Sequence, residues 1–185
     1  MTMSIYADAY SKHRNLKLAA DELGIDWQTL YVQLKKEGVA VTGDKLRYGS
    51  DRDKLAATAE AKFKELVPAA VDMNSLEFQS KWDFEIGAIK VDVKCAMPTQ
   101  RNKKYAAKGW AFSFKKQSLL CDFICCFCMS EGRSVQHVLL VPKEFFAGLQ
   151  SITVSCEGRS KWLDYSVKPN ELASFFAGIT SAMQQ

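Results

Sequence analysis

The chain has 185 residues, 48% apolar and 25% charged, with 25 Lys and Arg against 21 Asp and Glu for a net charge of +4. That length fits one large domain or two small ones, and the composition is ordinary for a globular protein. No apolar run approaches the ~20 residues of a membrane span, and the stretch around Asp8 and Lys12 lacks the apolar segment of a signal peptide. A cytoplasmic protein is expected, with a positive charge that permits nucleic-acid binding without demanding it.

Residues 1–48 read as a small helical module. Ile5 to Arg14 forms a first helix, and Leu16 to Leu23 a second, stopped by Gly24. Asp26 is placed to cap a third helix, Trp27 to Lys36, which Gly38 closes. Ala20, Gly24, Ile25, Leu30 and Leu34 fall at the spacings of a helix-turn-helix: a small residue where two helices approach, a glycine at the turn, and leucines for the core. In that reading the third helix is the recognition helix, and Gln28, Thr29, Tyr31, Gln33 and Lys35 point outward toward base edges or phosphates. The competing reading is a helical hairpin that packs on the main domain or forms a dimer interface; the near balance of acids and bases in the module favours it somewhat.

Val39 to Gly49 is a connector containing the turn signal Thr42-Gly43-Asp44-Lys45. Val39-Ala40-Val41 and Lys45-Leu46-Arg47 have the composition to pair as a small wing. Residues 49–185 form the second domain. Ser50 or Asp51 caps a helix that runs to Val67 and is stopped by Pro68. Leu55, Ala56, Ala59, Phe63, Leu66 and Val67 make its apolar face. Glu60 shares that face by spacing, whereas Glu65 turns outward. A carboxylate there is either at the rim with its head in water or held by something specific. Ala69 to Ser80 reads as a loop with at most a short extended piece.

Trp82 to Cys95 reads as a β-hairpin. Trp82, Phe84 and Ile86 alternate on the outgoing arm, and Ile89, Val91 and Val93 on the returning one. Gly87-Ala88 suits a two-residue type II′ turn, because Gly tolerates positive φ at the first central position. That register sets Phe84 against Val91 and Asp83 directly opposite Asp92, with Lys94 two residues on along the same face. Opposed carboxylates repel, which leaves three explanations: a fully solvated face, one protonated Asp, or a divalent cation between them. The oxygen pair suits a hard ion such as Mg2+.

Asp83, eight residues, then Asp92-Val93-Lys94 resembles the motif of the PD-(D/E)XK, or restriction-endonuclease-like, nuclease superfamily. An upstream helix carrying an acid and apolar strands downstream complete the pattern, over residues 50–180. Trp82 stands where the family's name has Pro. The resemblance implies an α/β fold with a mixed central sheet flanked by helices. It implies metal-dependent hydrolysis of a phosphodiester bond in DNA, with RNA left open as a substrate. Asp83, Asp92 and the Val93 backbone carbonyl would hold Mg2+ or Mn2+, Glu60 would ligate directly or through water, and Lys94 would position the water or stabilise the transition state. Cutting both strands would call for a homodimer. The alternative is a DNA-binding regulator or assembly factor that keeps the fold without the chemistry.

Residues 99–117 carry Arg101, Lys103, Lys104, Lys108, Lys115 and Lys116 with no acid, interleaved with Tyr105, Trp110, Phe112 and Phe114. The cations are expected on phosphates and the rings of Trp110 to Phe114 in the core. Leu119 to Met129 reads as a strand buried on both faces. Alternation puts Cys126 and Cys128 on one side and Cys121 and Cys125 on the other, so these thiols are read as small buried hydrophobes, and no zinc site is expected. His13 and His137 are isolated and receive no role. Val135 to Pro142 and Ile152 to Cys156 are further strands. Glu144 to Leu149 is a short helical piece, Gly158 to Trp162 a basic turn before Leu163 to Val167, and Asn170 to Met183 a closing helix with Leu172, Phe175, Phe176 and Ile179 inward.

Overall fold

The computed structural model describes residues 4–76, 80–100, 107–114 and 120–183 and divides into two compact units, Met1–Lys54 with Asn74–Gln79, and Leu55–Met73 with Ser80–Gln185.

The first unit is helical. Helix α1 (Ile5–His13) is capped by Ser4, whose Oγ accepts the Ala7 N–H at 3.1 Å. Helix α2 (Leu16–Leu23) is capped by Asn15, which accepts the Leu18 N–H, and ends at Gly24 with φ +66. Helix α3 (Trp27–Lys36) follows Asp26, whose side chain makes no cap bond. Ala9, Tyr10, Ala19, Ala20, Leu30 and Leu34 form the core, with Leu23, Ile25 and Val41 packed against it. The Tyr10 hydroxyl donates to the Thr42 carbonyl at 2.6 Å, and Arg14 donates to the Thr42 hydroxyl at 2.8 Å, so the connector is tied back to α1.

The expected wing is not there. Lys45–Tyr48 is a single helical turn, α4, because Asp44 acts as its N-cap and accepts the Arg47 N–H at 3.0 Å. Helix α5 (Asp51–Leu66) opens with a reciprocal cap: the Ser50 N–H donates to Asp53 Oδ2, and the Asp53 N–H donates to Ser50 Oγ.

The second unit is α/β and layered, with two sheets. One has six strands in the order β1 (Val71–Asp72), β2 (Phe84–Ile86), β3 (Ile89–Ala96), β6 (Phe123–Met129), β7 (Val135–Pro142), β9 (Ser166–Val167). It is mixed: β3 and β6 run parallel and the other pairs antiparallel. The other sheet has three antiparallel strands, β4 (Thr99–Gln100), β5 (Lys108–Ser113) and β8 (Ser151–Ser155). The chain passes through β4 and β5 between β3 and β6, the long connection that a parallel pair requires.

Each face of the six-stranded sheet has its own core. On one side Phe84, Ile86, Ile89, Val91, Val93, Cys125, Phe127 and Leu140 pack with Ala59 and Phe63 of α5 and with Leu172 and Phe176 of α7 (Leu172–Met183). On the other, Ile124, Cys126, Cys128, Leu139 and Val141 pack with Trp110 and Phe112 of β5, Ile152 and Val154 of β8, and Phe146 of α6 (Lys143–Phe146). Trp110 and Phe112 are core residues, as expected of them.

Two side chains differ from the expectation. Cys121 joins Cys126 and Cys128 instead of Cys125, because β6 begins only at Phe123 and strand alternation does not reach back to residue 121. Phe175 is 39% exposed and contributes an edge to Phe123 and Phe176, while Leu172 and Phe176 are buried.

Candidate functional site

The hairpin arm β2 is short, and what ends it builds the site. Phe84 pairs with Val91, Glu85 with Lys90 and Ile86 with Ile89. Gly87 takes φ +61, as a type II′ turn needs. Beyond Phe84 the ladder slips. The Asp83 N–H donates to the Val91 carbonyl at 3.0 Å, so Asp83 and Phe84 both face Val91, as in a β-bulge. Asp83 therefore does not stand directly opposite Asp92.

The slip has two consequences. Trp82 leaves the face of Phe84 and Ile86 and packs with the second core, where the Lys90 ammonium lies 4.2 Å from its ring centre. The Asp83 carboxylate turns along the sheet edge, where Oδ2 accepts the Val93 N–H at 2.7 Å. Val91 and Val93 thus turn their backbone groups to the β2 side, and by strand alternation the Val93 carbonyl shares that side with Asp83.

Asp92 points to the opposite face from Val91 and Val93, away from α5 and α7. It is 7% exposed, the buried charged residue among the described residues. Lys94, next on the same face, forms an ion pair with Asp92 Oδ2. Burial works to lower the affinity of Lys94 for its proton, but the charge and hydrogen bond of Asp92, with the Asp83 charge behind them, more than compensate, so the ammonium is held above its ordinary value. Asp83, Asp92 and Lys94 thus share one site. The Cys121 thiol borders it from beside the Asp92 backbone, and burial pushes its pKa up to about 12, which keeps it neutral.

Lys90 completes the row and was not singled out in the sequence. It lies two residues before Asp92 on the same face, held by Trp82, and its backbone exchanges two 2.8 Å hydrogen bonds with Asp122, from its N–H to the carboxylate and from the Asp122 N–H to its carbonyl. Strand alternation from Asp92 would have found it.

Other candidates fall elsewhere. Glu60 is half-buried on α5, whose buried residues cover the opposite face of the sheet, and among the described residues no three His, Cys, Asp or Glu side chains form a metal-holding group. Glu65 is turned outward and paired with Lys62 at 2.9 Å. Lys108 is exposed, but its ammonium is engaged by Glu131, whose hydrogen bond and charge hold it above its ordinary pKa. Arg101, Lys103, Lys104, Tyr105, Lys115 and Lys116 lie outside the described residues. On α3, Gln28, Thr29, Tyr31 and Lys35 are exposed and Gln33 is half-buried.

The donor set is two carboxylates and a main-chain carbonyl at the end of a short strand, with an ammonium beside them. All three groups offer hard oxygens, the donor type that a Mg2+-type ion takes. No protein-family model matches the chain, and no curated protein matches it.

Proposed function

We propose that the protein is a metal-dependent DNA endonuclease with a PD-(D/E)XK, restriction-endonuclease-like core, preceded by a helix-turn-helix module. One observation carries the reading: a bulge at Asp83 brings its carboxylate onto the Val93 N–H while Lys94 pairs with Asp92 and also feels the Asp83 charge. The order helix, hairpin, parallel strand and closing helix in the second unit supports the core assignment.

Asp83, Asp92 and the Val93 carbonyl would hold Mg2+ or Mn2+, which when bound supplies Lewis-acid polarisation of the phosphate and a more acidic water. The bond between Asp83 and the Val93 N–H fixes the carboxylate before any ligand arrives, so little reorganisation is left to the reaction. Lys94 stays protonated at neutral pH. It acts as a cation that orients the attacking water or stabilises charge on the phosphorane, and it does not act as a base. Glu60 would ligate directly or through water. In the first unit, α3 would supply the contact with DNA.

The regulator reading is favoured by one feature, the neutralisation of Asp92 by Lys94 within the chain. Incubation of supercoiled plasmid with Mg2+ or Mn2+ separates the two. Cleavage that disappears with EDTA, with Asp92→Ala and with Lys94→Ala is the expected result. DNA binding without cleavage of supercoiled, single-stranded or branched DNA would give the regulator.

A further inference from the structure

The helix α3 carries more than the polar residues that suit groove reading. Trp27 is 49% exposed, Tyr31 39% and Val32 48%. Trp27, Tyr31 and Lys35 follow one another at four-residue steps and so form one ridge. The Lys35 ammonium lies 5.8 Å from the centre of the Tyr31 ring, and Lys36 follows. No acid interrupts the helix between Trp27 and Lys36. The buried side of the helix is fully used by Leu30 and Leu34, so the aromatic ridge is surplus to the core of this unit.

Large rings are poor readers of base edges. A Trp offers one donor and no acceptor, and a major groove offers apolar contact only at the thymine methyl. Rings are good platforms for base faces, which are open only where bases are unpaired. The spacing agrees. Rings four residues apart on a helix are separated by about 6 Å along the axis, wider than the ~3.4 Å step of stacked bases in a duplex strand, so the ridge fits a strand whose bases are drawn apart. Lys35 at the end of the ridge, with Lys36 beside it, complements its phosphates.

We infer that α3 binds single-stranded DNA, with bases stacking on Trp27 and Tyr31 and the backbone running toward Lys35 and Lys36. This rests on the reading of α3 as a nucleic-acid contact and names its substrate class. Labelled oligo(dT) and a duplex of equal length, each titrated with the full chain by fluorescence anisotropy in EDTA at one salt concentration, give the test. Oligo(dT) should bind more tightly than the duplex. Trp27→Ala and Tyr31→Ala should each weaken oligo(dT) binding by about tenfold and duplex binding far less, with Trp27→Phe retaining most of the affinity. Lys35→Ala should weaken both alike and flatten the salt dependence. Both rings are half-exposed, so unchanged thermal melting is expected of the variants. Oligo(dT) binding by Trp27→Ala at the wild-type level, or a duplex preference indifferent to Trp27, would overturn the stacking and leave α3 as a duplex reader. Failure to bind either DNA would overturn α3 as a nucleic-acid contact altogether, while plasmid cleavage lost in Asp92→Ala would still stand for the other unit.

Discussion

Strands β3 and β6 lie side by side and parallel, with Asp92 beside Ile124 and Lys94 beside Cys126, yet they are built by different rules. In β6, Ile124 through Met129 are buried and apolar, dividing between the two cores. In β3 only one face follows that pattern. Ile89, Val91 and Val93 enter the core under α5 and α7, and the alternate positions carry Lys90, Asp92 and Lys94. A strand flanked by β2 and β6 has no packing reason for three charges on one face. Burying Asp92 costs free energy that Lys94 offsets only in part. The contrast marks β6 as a strand built for packing and the second face of β3 as the charged row on which the proposed chemistry rests.

The sharpest way to break this contrast is by activity. Asp92→Ala or Lys94→Ala should reduce DNA cleavage by about a hundredfold or more, whereas Cys126→Ala, directly beside Lys94 on β6, should leave cleavage largely intact. Equal losses at both strands in a plasmid assay would erase the distinction. Stability should rank the other way. Phe127→Ala on β6, a fully buried ring, should cost about 3–5 kcal/mol in urea unfolding. Lys94→Met should cost about 2–3 kcal/mol by stranding Asp92, and Asp92→Leu added to it should recover most of that loss.

The pair also predicts a pH signature. The pKa of Lys94 is raised above its ordinary 10.5 in the folded chain, so its contribution is complete at neutral pH and fades as the pH climbs through the raised value. Wild-type and Lys94→Met melting temperatures should therefore differ at pH 7 and converge only in strong alkali. The smallest effect concerns the thiols. Burial pushes Cys121 and Cys128 up to about 12 and holds Cys125 and Cys126 well above the ordinary thiol value. In the native protein a thiol reagent should modify exposed Cys156 first and reach those four only after unfolding.

Much of this arrangement was legible in the residues. Alternation located β3, because a strand with one apolar face has a period of two, while Val135–Pro142 is legible from its apolar run Val138 to Val141, as in a strand buried on both faces. Gly87 gave the turn and the paired register from Phe84 to Ile86. The site itself was harder. A single slip at Asp83 moves Trp82 to the other core and turns the carboxylate along the edge, and no residue pattern announces a bulge whose cause is tertiary. Asp44 sits in a turn signal yet caps α4, since the same residue type serves both uses. Cys121 was assigned by extending alternation beyond the point where the strand begins. Glu60 has the spacing of a buried-face residue, and it is half-buried on α5.

We propose Asp83 and Asp92 as a metal site. Electron paramagnetic resonance of Mn2+ titrated into the full chain tests it without any nucleic acid. Bound Mn2+ in the wild type that is lost in Asp83→Asn and in Asp92→Asn, with both variants melting cooperatively, is the predicted result. A wild-type protein that leaves all Mn2+ free, or an Asp92→Asn variant that binds it equally well, would contradict the account.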